Sequence, residues 1–362
     1  MRFSTGVLVA CLALPAWAGS WKIQYFYDKD DSKFIINDIQ FVTENRGYAV
    51  GFRELSARPG PKPMMIATED GGKSWTETYP PAIPESIFFV NETAGFMAAA
   101  SGIWHTPDAG KSWRCLSPVP GVARLWFLNP KRGFAIGYPK LMKQTKDGGE
   151  TWTDVQAAQD VTGKPQNTRY TAIAFEGRIG VVAGVSEPNR PGPEQPAWVD
   201  PSEAASRRLW PTLSIGVRSS DGGEKWLGQT APVFGTTTRM RLNGKVGMSV
   251  VRYGESFDVP SELYAINSAG KVQSAYKQKN RIVTDAGWIG AEAVLVAVEP
   301  PGKLSQLPFP GKVHVMKSLD LSTWTEMDVS YKAFGGNAMF AIVNESNAWI
   351  ATDTGMILKY AP

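Results

Sequence analysis

Residues 68–75 read TEDGGKSW, and the same hydroxyl residue, aspartate, glycine and tryptophan return as TPDAGKSW at 106–113, TKDGGETW at 145–152 and SSDGGEKW at 219–226. A worn fifth copy, SLDLSTW at 318–324, is one residue shorter and has Ser322 where the glycine should be, but it keeps Asp320 and Trp324. A catalytic constellation is rarely written four times in one chain. Asp70, Asp108 and Asp147 stand 38 and 39 residues apart, and self-similarity at a fixed period of this size marks a repeat architecture.

Working backwards from the aspartates gives the full unit. INDIQFVTENRGYAVG at 36–51, ESIFFVNETAGFMAA at 85–99 and RLWFLNPKRGFAIG at 124–137 each hold an apolar strand, a short polar turn, a glycine and a second apolar strand. A third strand then enters the aspartate turn and a fourth leaves from the tryptophan. Short strands with turn signals about every ten residues, and almost no helical periodicity, indicate an all-β fold. Four strands in roughly 40 residues make one blade of a β-propeller. Blades one to three fill 34–155, and blade four runs from YTAIAF at 170 to the fourth aspartate turn with a long Pro-rich insertion at about 186–212. Blade five occupies 239–277 and blade six about 281–329. Blade seven has only three strands before the end of the sequence, so WKIQYFY at 21–27 is expected to supply the fourth and close a seven-bladed ring. A count of six or eight follows if 281–329 is divided differently.

Composition agrees with a globular chain: 43% hydrophobic and 20% charged, with 13 tryptophans and 36 glycines concentrated at matching repeat positions. The opening MRFSTGVLVACLALPAWAGS carries one arginine, an apolar run and Ala16-Trp17-Ala18, a small-x-small cleavage signal. Residues 1–18 are therefore expected to be a signal peptide cleaved after Ala18, leaving a single propeller domain at 19–362, periplasmic or extracellular and monomeric. An acylated Cys11 preceded by Leu8-Val9-Ala10 is the alternative. Cys115 is then the sole cysteine, so no internal disulfide is available. No later apolar run approaches the roughly 20 residues of a spanning helix. The formal net charge of +4 is too mild to argue for nucleic acid or an anionic membrane.

In the repeated turn the glycines permit positive φ, the aspartate accepts backbone N–H groups, and the tryptophan is expected to bury its ring at the outer edge of the blade. Placed once per blade, Asp70, Asp108, Asp147, Asp221 and Asp320 are too far apart to share a substrate. They and Trp75, Trp113, Trp152, Trp226 and Trp324 are assigned structural roles, not metal or catalytic ones. The motif resembles the Asp-box, or BNR repeat, of sialidases and sortilin-type receptors. The longer pattern, with Gly-Tyr-Ala-Val-Gly before T-x-D-G-G-x-[ST]-W, more closely resembles the photosystem II stability and assembly factor family, most strongly over 34–155 and 213–229. That resemblance implies a non-enzymatic propeller that binds membrane-protein precursors or assembly intermediates in a lumen or periplasm.

Binding is expected on the rim opposite the aspartate turns, where four long second-to-third connections fall, at 53–63, 186–212, 252–261 and 299–311. Trp198 and Trp210 lie in the longest. Arg124 and Arg239 each stand three residues before the matching apolar residue of an innermost strand, Phe127 or Leu242, and Asp38 holds that position in blade one. Arg169 and Arg281 lie near the entrances of the inner strands of blades four and six. Arg124, Arg169, Arg239 and Arg281 are therefore expected at one mouth of the central channel, facing a protein or peptide partner. A sialidase would usually show an Arg-Ile-Pro motif, which is absent. A glycosidase or carbohydrate-binding propeller remains the competing reading, since acid spacing is not legible in sequence. With only His105 and His314 and one mature cysteine, zinc sites and Cys–His couples find no support, and no cofactor motif is present.

Overall fold

The computed structural model describes residues 19–29, 31–55, 58–187, 212–244, 246–254, 257–267, 269–300 and 310–362. Seven sheets are arranged in order along the chain, six built on four sequential antiparallel strands and the seventh on the last three strands joined by the first. Their innermost strands are Ser32–Phe41, Pro84–Phe89, Val122–Phe127, Thr168–Glu176, Thr236–Asn243, Ile282–Ile289 and Ala338–Ile342. Each touches the innermost strand of the next blade, and that of blade seven touches that of blade one. The molecule is a seven-bladed β-propeller. Among the described residues helix is confined to two short turns, Gln156–Asp160 and Pro165–Asn167, between blades three and four.

Closure uses the first strand described. Ser20–Phe26 pairs antiparallel with Met356–Ala361 as the outer strand of blade seven. At its other edge Ser20 and Trp21 pair in parallel with Asp328 and Val329. Trp21 is 1% exposed and packs against Phe340 and Tyr360.

The blades are joined by a repeated aromatic stack. Trp349, Tyr48, Phe96 and Phe134, all on second strands, face Phe41, Phe89, Phe127 and Phe175 at the ends of the following blades' innermost strands. The first three pairs have centroids 3.5–3.7 Å apart. This explains the repeat glycine. A Cβ at Gly133 would lie 2.5 Å from the Phe127 ring, and Gly47, Gly95 and Gly180 are crowded alike by Phe41, Phe89 and Phe175. Blades five, six and seven have Leu242, Trp288 and Ile342 at the phenylalanine position and lack this stacked pair among the described residues.

One expectation needs correction. Residues 53–63 are not a loop: the strands Gly47–Leu55 and Arg58–Thr68 run on as an extended hairpin, with Leu55 opposite Arg58. Its prolines are tolerated because the fourth strand, Thr76–Thr78, pairs only as far as Met65, so Pro63 and Pro61 lie on an edge with no donor required. The repeat tryptophans also reach across to the preceding blade. Trp226 of blade four meets Phe134 of blade three edge-on, and Trp324 of blade six meets Tyr276 of blade five.

Candidate binding site at the channel mouth

The aspartate turns occupy one rim and are closed networks. Asp70 Oδ1 accepts from Ser74 N (2.9 Å) and Thr68 Oγ1 (2.8 Å), and Oδ2 accepts from Ser74 Oγ (2.6 Å). Asp108 repeats this with Ser112 and Thr106, and Asp147 with Thr151 and Thr145. Asp221 receives Glu224 N and Lys225 N, and Asp320 receives Ser322 N and Thr323 N. Hydroxyl donation by Ser74 and Thr151, then the backbone bonds, hold Asp70 and Asp147 at about 2. The indole N–H of Trp75, Trp152 and Trp226 donates to the second glycine of its own turn. That of Trp324 instead reaches Ala275 O, as its shortened turn requires, and that of Trp113 is buried without a partner among the described residues. Each of the first four turns also bonds the neighbouring hairpin of its own blade, as Gly148 N does with Lys131 O.

The opposite mouth is built by a backbone irregularity. Six of the seven innermost strands slip register at one matched point, bulging at Asn37, Glu85, Ala123, Thr171, Thr238 and Thr284. A bulge bends the strand and re-aims the residues beside it. The residue that follows forms a ring around the axis: Asp38, Ser86, Arg124, Ala172, Arg239 and Asp285, with Met339 in blade seven. All seven line one axial chamber of about 280 Å³. Above it opens a cavity of about 480 Å³, sharing Arg124, Thr238 and Arg239 with the chamber and adding Arg169, Arg252 and Tyr138.

The two acids of the ring are committed to holding blades together. Asp38 Oδ1 accepts from its own blade at Ile39 N (3.1 Å) and Oδ2 from blade two at Ile87 N (3.0 Å). Asp285 does the same with Ala286 N (2.8 Å) and blade seven's Phe340 N (3.0 Å). Arg241 Nη2 adds a bond to Asp285 Oδ2 (3.2 Å). Burial pushes the Asp38 carboxyl up, against the pull of Arg239 and of the two backbone donors.

The cations are placed differently. Arg169 pairs with Glu187 at 2.7 Å. Arg124, Arg239 and Arg252 have no ion-pair partner among the described residues and converge on the same cavity. Burial, and then the neighbouring Arg239, push the Arg252 guanidinium down. The structure thus brings Arg124, Arg169 and Arg239 together but not Arg281, which lies against Glu299 (3.8 Å) beside the buried His314. Arg281 stands four residues before its ring position, Asp285, whereas Arg169 stands three before Ala172, and on a strand one residue reverses the face. Sequence reasoning missed Arg241, Arg252 and Asp285. Two of these were legible in principle: Arg241 is two residues beyond Arg239 on one strand, and Asp285 shares the register of Asp38. Trp198 and Trp210 lie outside the described residues.

No family model matches the chain. Among curated proteins it is 25% identical over 136 residues to the photosystem II assembly lipoprotein Ycf48 of Synechococcus sp. (strain CC9902), a match covering 32% of this chain and 38% of that relative's length. Among solved structures it resembles YCF48 bound to D1 peptide, with a TM-score of 0.62 and 17% identity over 97% of each chain. It also resembles YCF48 from Cyanidioschyzon merolae, with a TM-score of 0.60 and 13% identity over 94% of this chain and 98% of the other. These likenesses establish the fold, and the chain resembles β-propellers of the photosystem II assembly-factor type.

Proposed function

We propose that this chain is an exported, non-catalytic β-propeller that holds an acidic segment of a protein or peptide partner at the arginine-lined mouth of its channel, as an assembly-factor-like scaffold for an envelope or membrane complex. The observation that carries this reading is the convergence of Arg124, Arg239 and Arg252, without partnering carboxylates among the described residues, on one open cavity. Guanidinium is the cation best suited to the task, because its planar fork matches carboxylate geometry and it is weakly hydrated. A bound peptide in one of the similar solved structures supports a peptide ligand. The two ring acids serve blade-to-blade bonds, which leaves them poorly placed for acid–base work.

The test is fluorescence anisotropy with a short labelled Glu-rich peptide and its counterpart in which every Glu is Gln. Wild-type protein is expected to bind the first and not the second, more weakly as salt is added. Arg124→Glu with Arg239→Glu is expected to abolish binding while circular dichroism stays unchanged. Equal binding of both peptides, or full binding by the folded double variant, overturns the proposal.

A further inference from the structure

Compared around the ring, Asp38 and Asp285 perform one identical act. Each carboxylate bridges the next N–H of its own strand to the N–H of the following blade, Ile39 to Ile87 in one case and Ala286 to Phe340 in the other. These N–H groups are available because alternate residues of an antiparallel ladder turn their amides away from the partner strand. On the innermost strand the free edge faces the channel. Leu125, Ile173 and Met240 occupy the same ladder positions in blades three, four and five, and line the same chamber. No side-chain acceptor among the described residues serves these three amides, as Asp38 and Asp285 serve theirs. The ring residues that would have to provide one are Ser86, Arg124 and Ala172.

Ala172 is where the repeat leaves a gap. It is 2% exposed and has only a methyl where blades one and six have a carboxylate. Its ring neighbours on the two sides are Arg124 and Arg239, and Thr171 and Thr237 already bind blades four and five just above it, at 2.6 Å. A second orphan lies in the same chamber: Ser86 Oγ is buried without a hydrogen-bond partner. Buried polar groups are rarely left unpaired, and three amides, a hydroxyl and two guanidiniums around one chamber together call for an anion. The charges facing that position are Arg124, Arg239 and Arg241 against Asp38 and Asp285, so one positive charge remains in excess.

We propose that a ligand carboxylate descends through the mouth and takes the place of the missing side chain at Ala172, bridging Ile173 N and Met240 N between Arg124 and Arg239 as Asp38 and Asp285 bridge their own blades. This deepens the proposal above and rests on it only for the direction of entry. The site selects a carboxylate because the two resident examples show that a planar two-oxygen acceptor fits this backbone geometry. A carboxamide of the same shape would present an N–H to an N–H.

The experiment is thermal denaturation of the mature protein in glutarate and in glutaramide, with chloride matching ionic strength. Glutarate alone is expected to raise the melting temperature of the wild type. Ala172→Asp, which builds the ligand into the chain, is expected to melt at or above the wild-type temperature and to ignore glutarate. If that variant fails to fold, Arg124→Gln with Arg239→Gln is expected to keep the fold and lose the response. A wild type that ignores glutarate, or a folded Ala172→Asp that responds as the wild type does, overturns the inference. Peptide binding that is lost in Arg252→Gln yet indifferent to glutarate overturns the chamber site alone. A glutarate response without peptide binding overturns the mouth reading and leaves the chamber site standing.

Discussion

Thr145 is 1% exposed, and its Oγ1 serves three groups at once: it donates to Asp147 Oδ1 and accepts from Asp147 N and Gly149 N. The aspartate was the residue that stood out in the sequence, yet the hydroxyl is the buried end of the device. Thr68, Thr106 and Ser219 repeat it. Because Gly149 N has no other acceptor among the described residues, Thr145→Val is expected to cost about 1–3 kcal/mol, the penalty for stranding a buried donor. Asp147→Ala is expected to cost less, since its donors at Thr151 are exposed. Urea unfolding of the two variants checks the order. The pH dependence follows from the direction of the shifts. The five turn aspartates all have lowered values, so the unfolded chain takes up protons before the folded one does. Their contribution is complete above pH 4 or so and is lost as the pH falls toward 2. A melting temperature measured between those limits should fall less steeply in Asp147→Asn than in wild type.

At the scale of the strand, each inner edge shows why some of the architecture was readable and some was not. Alternation, turns and the repeat period depend on local residue types, so four strands per blade and the order of blades could be written down from composition and spacing. The bulge was invisible, because Asn37, Glu85, Ala123 and Thr171 have no side-chain type in common. What they share is a backbone slip imposed by the ring. The slip decides which of two neighbouring residues enters the channel, and Arg281, which precedes the strand Ile282–Ile289, is not among the residues lining the mouth. The aromatic stack was half visible: the phenylalanines and the glycines recur, but that Phe127 of blade three lies on Phe96 of blade two needs three dimensions. Phe127→Ala, which empties that joint, is expected to cost about 3–5 kcal/mol. It should do so without disturbing Arg124, Arg239 and Arg252 at the mouth. Calorimetry gives the cost, and peptide affinity at low temperature reports the mouth.

For the whole molecule, stability is a property of a closed circle. Stacked rings join blades seven, one, two, three and four in succession, whereas the joints into blades five, six and seven have no such stacked pair among the described residues, so the ring has a firm arc and a softer one. The seam lies between the soft arc and blade one, where Ser20–Phe26 completes blade seven. Deleting residues 20–26 removes Trp21 from its cluster with Phe340 and Tyr360 and bares the edge of Met356–Ala361. The shortened protein is expected to melt well below the full one and to self-associate, which light scattering during a thermal ramp detects. Unchanged melting and a monodisperse solution would count against the seam.

The same seam gives the polypeptide an order of events. Lys22 and Lys359 are partners in one ladder although nearly the whole chain separates them. A chain that emerges amino end first delivers one half of this joint before the seven innermost strands are made and the other half after them all. Through that interval Trp21 and Ile23 wait with their apolar surfaces in water, and blade seven has no edge to offer them. Contacts of such sequence separation carry the largest loop-closure cost, and late ones leave the growing chain vulnerable longest. Closing the ring is therefore a late event, and whatever shields the leading strand until Met356–Ala361 arrives sets the yield of finished rings.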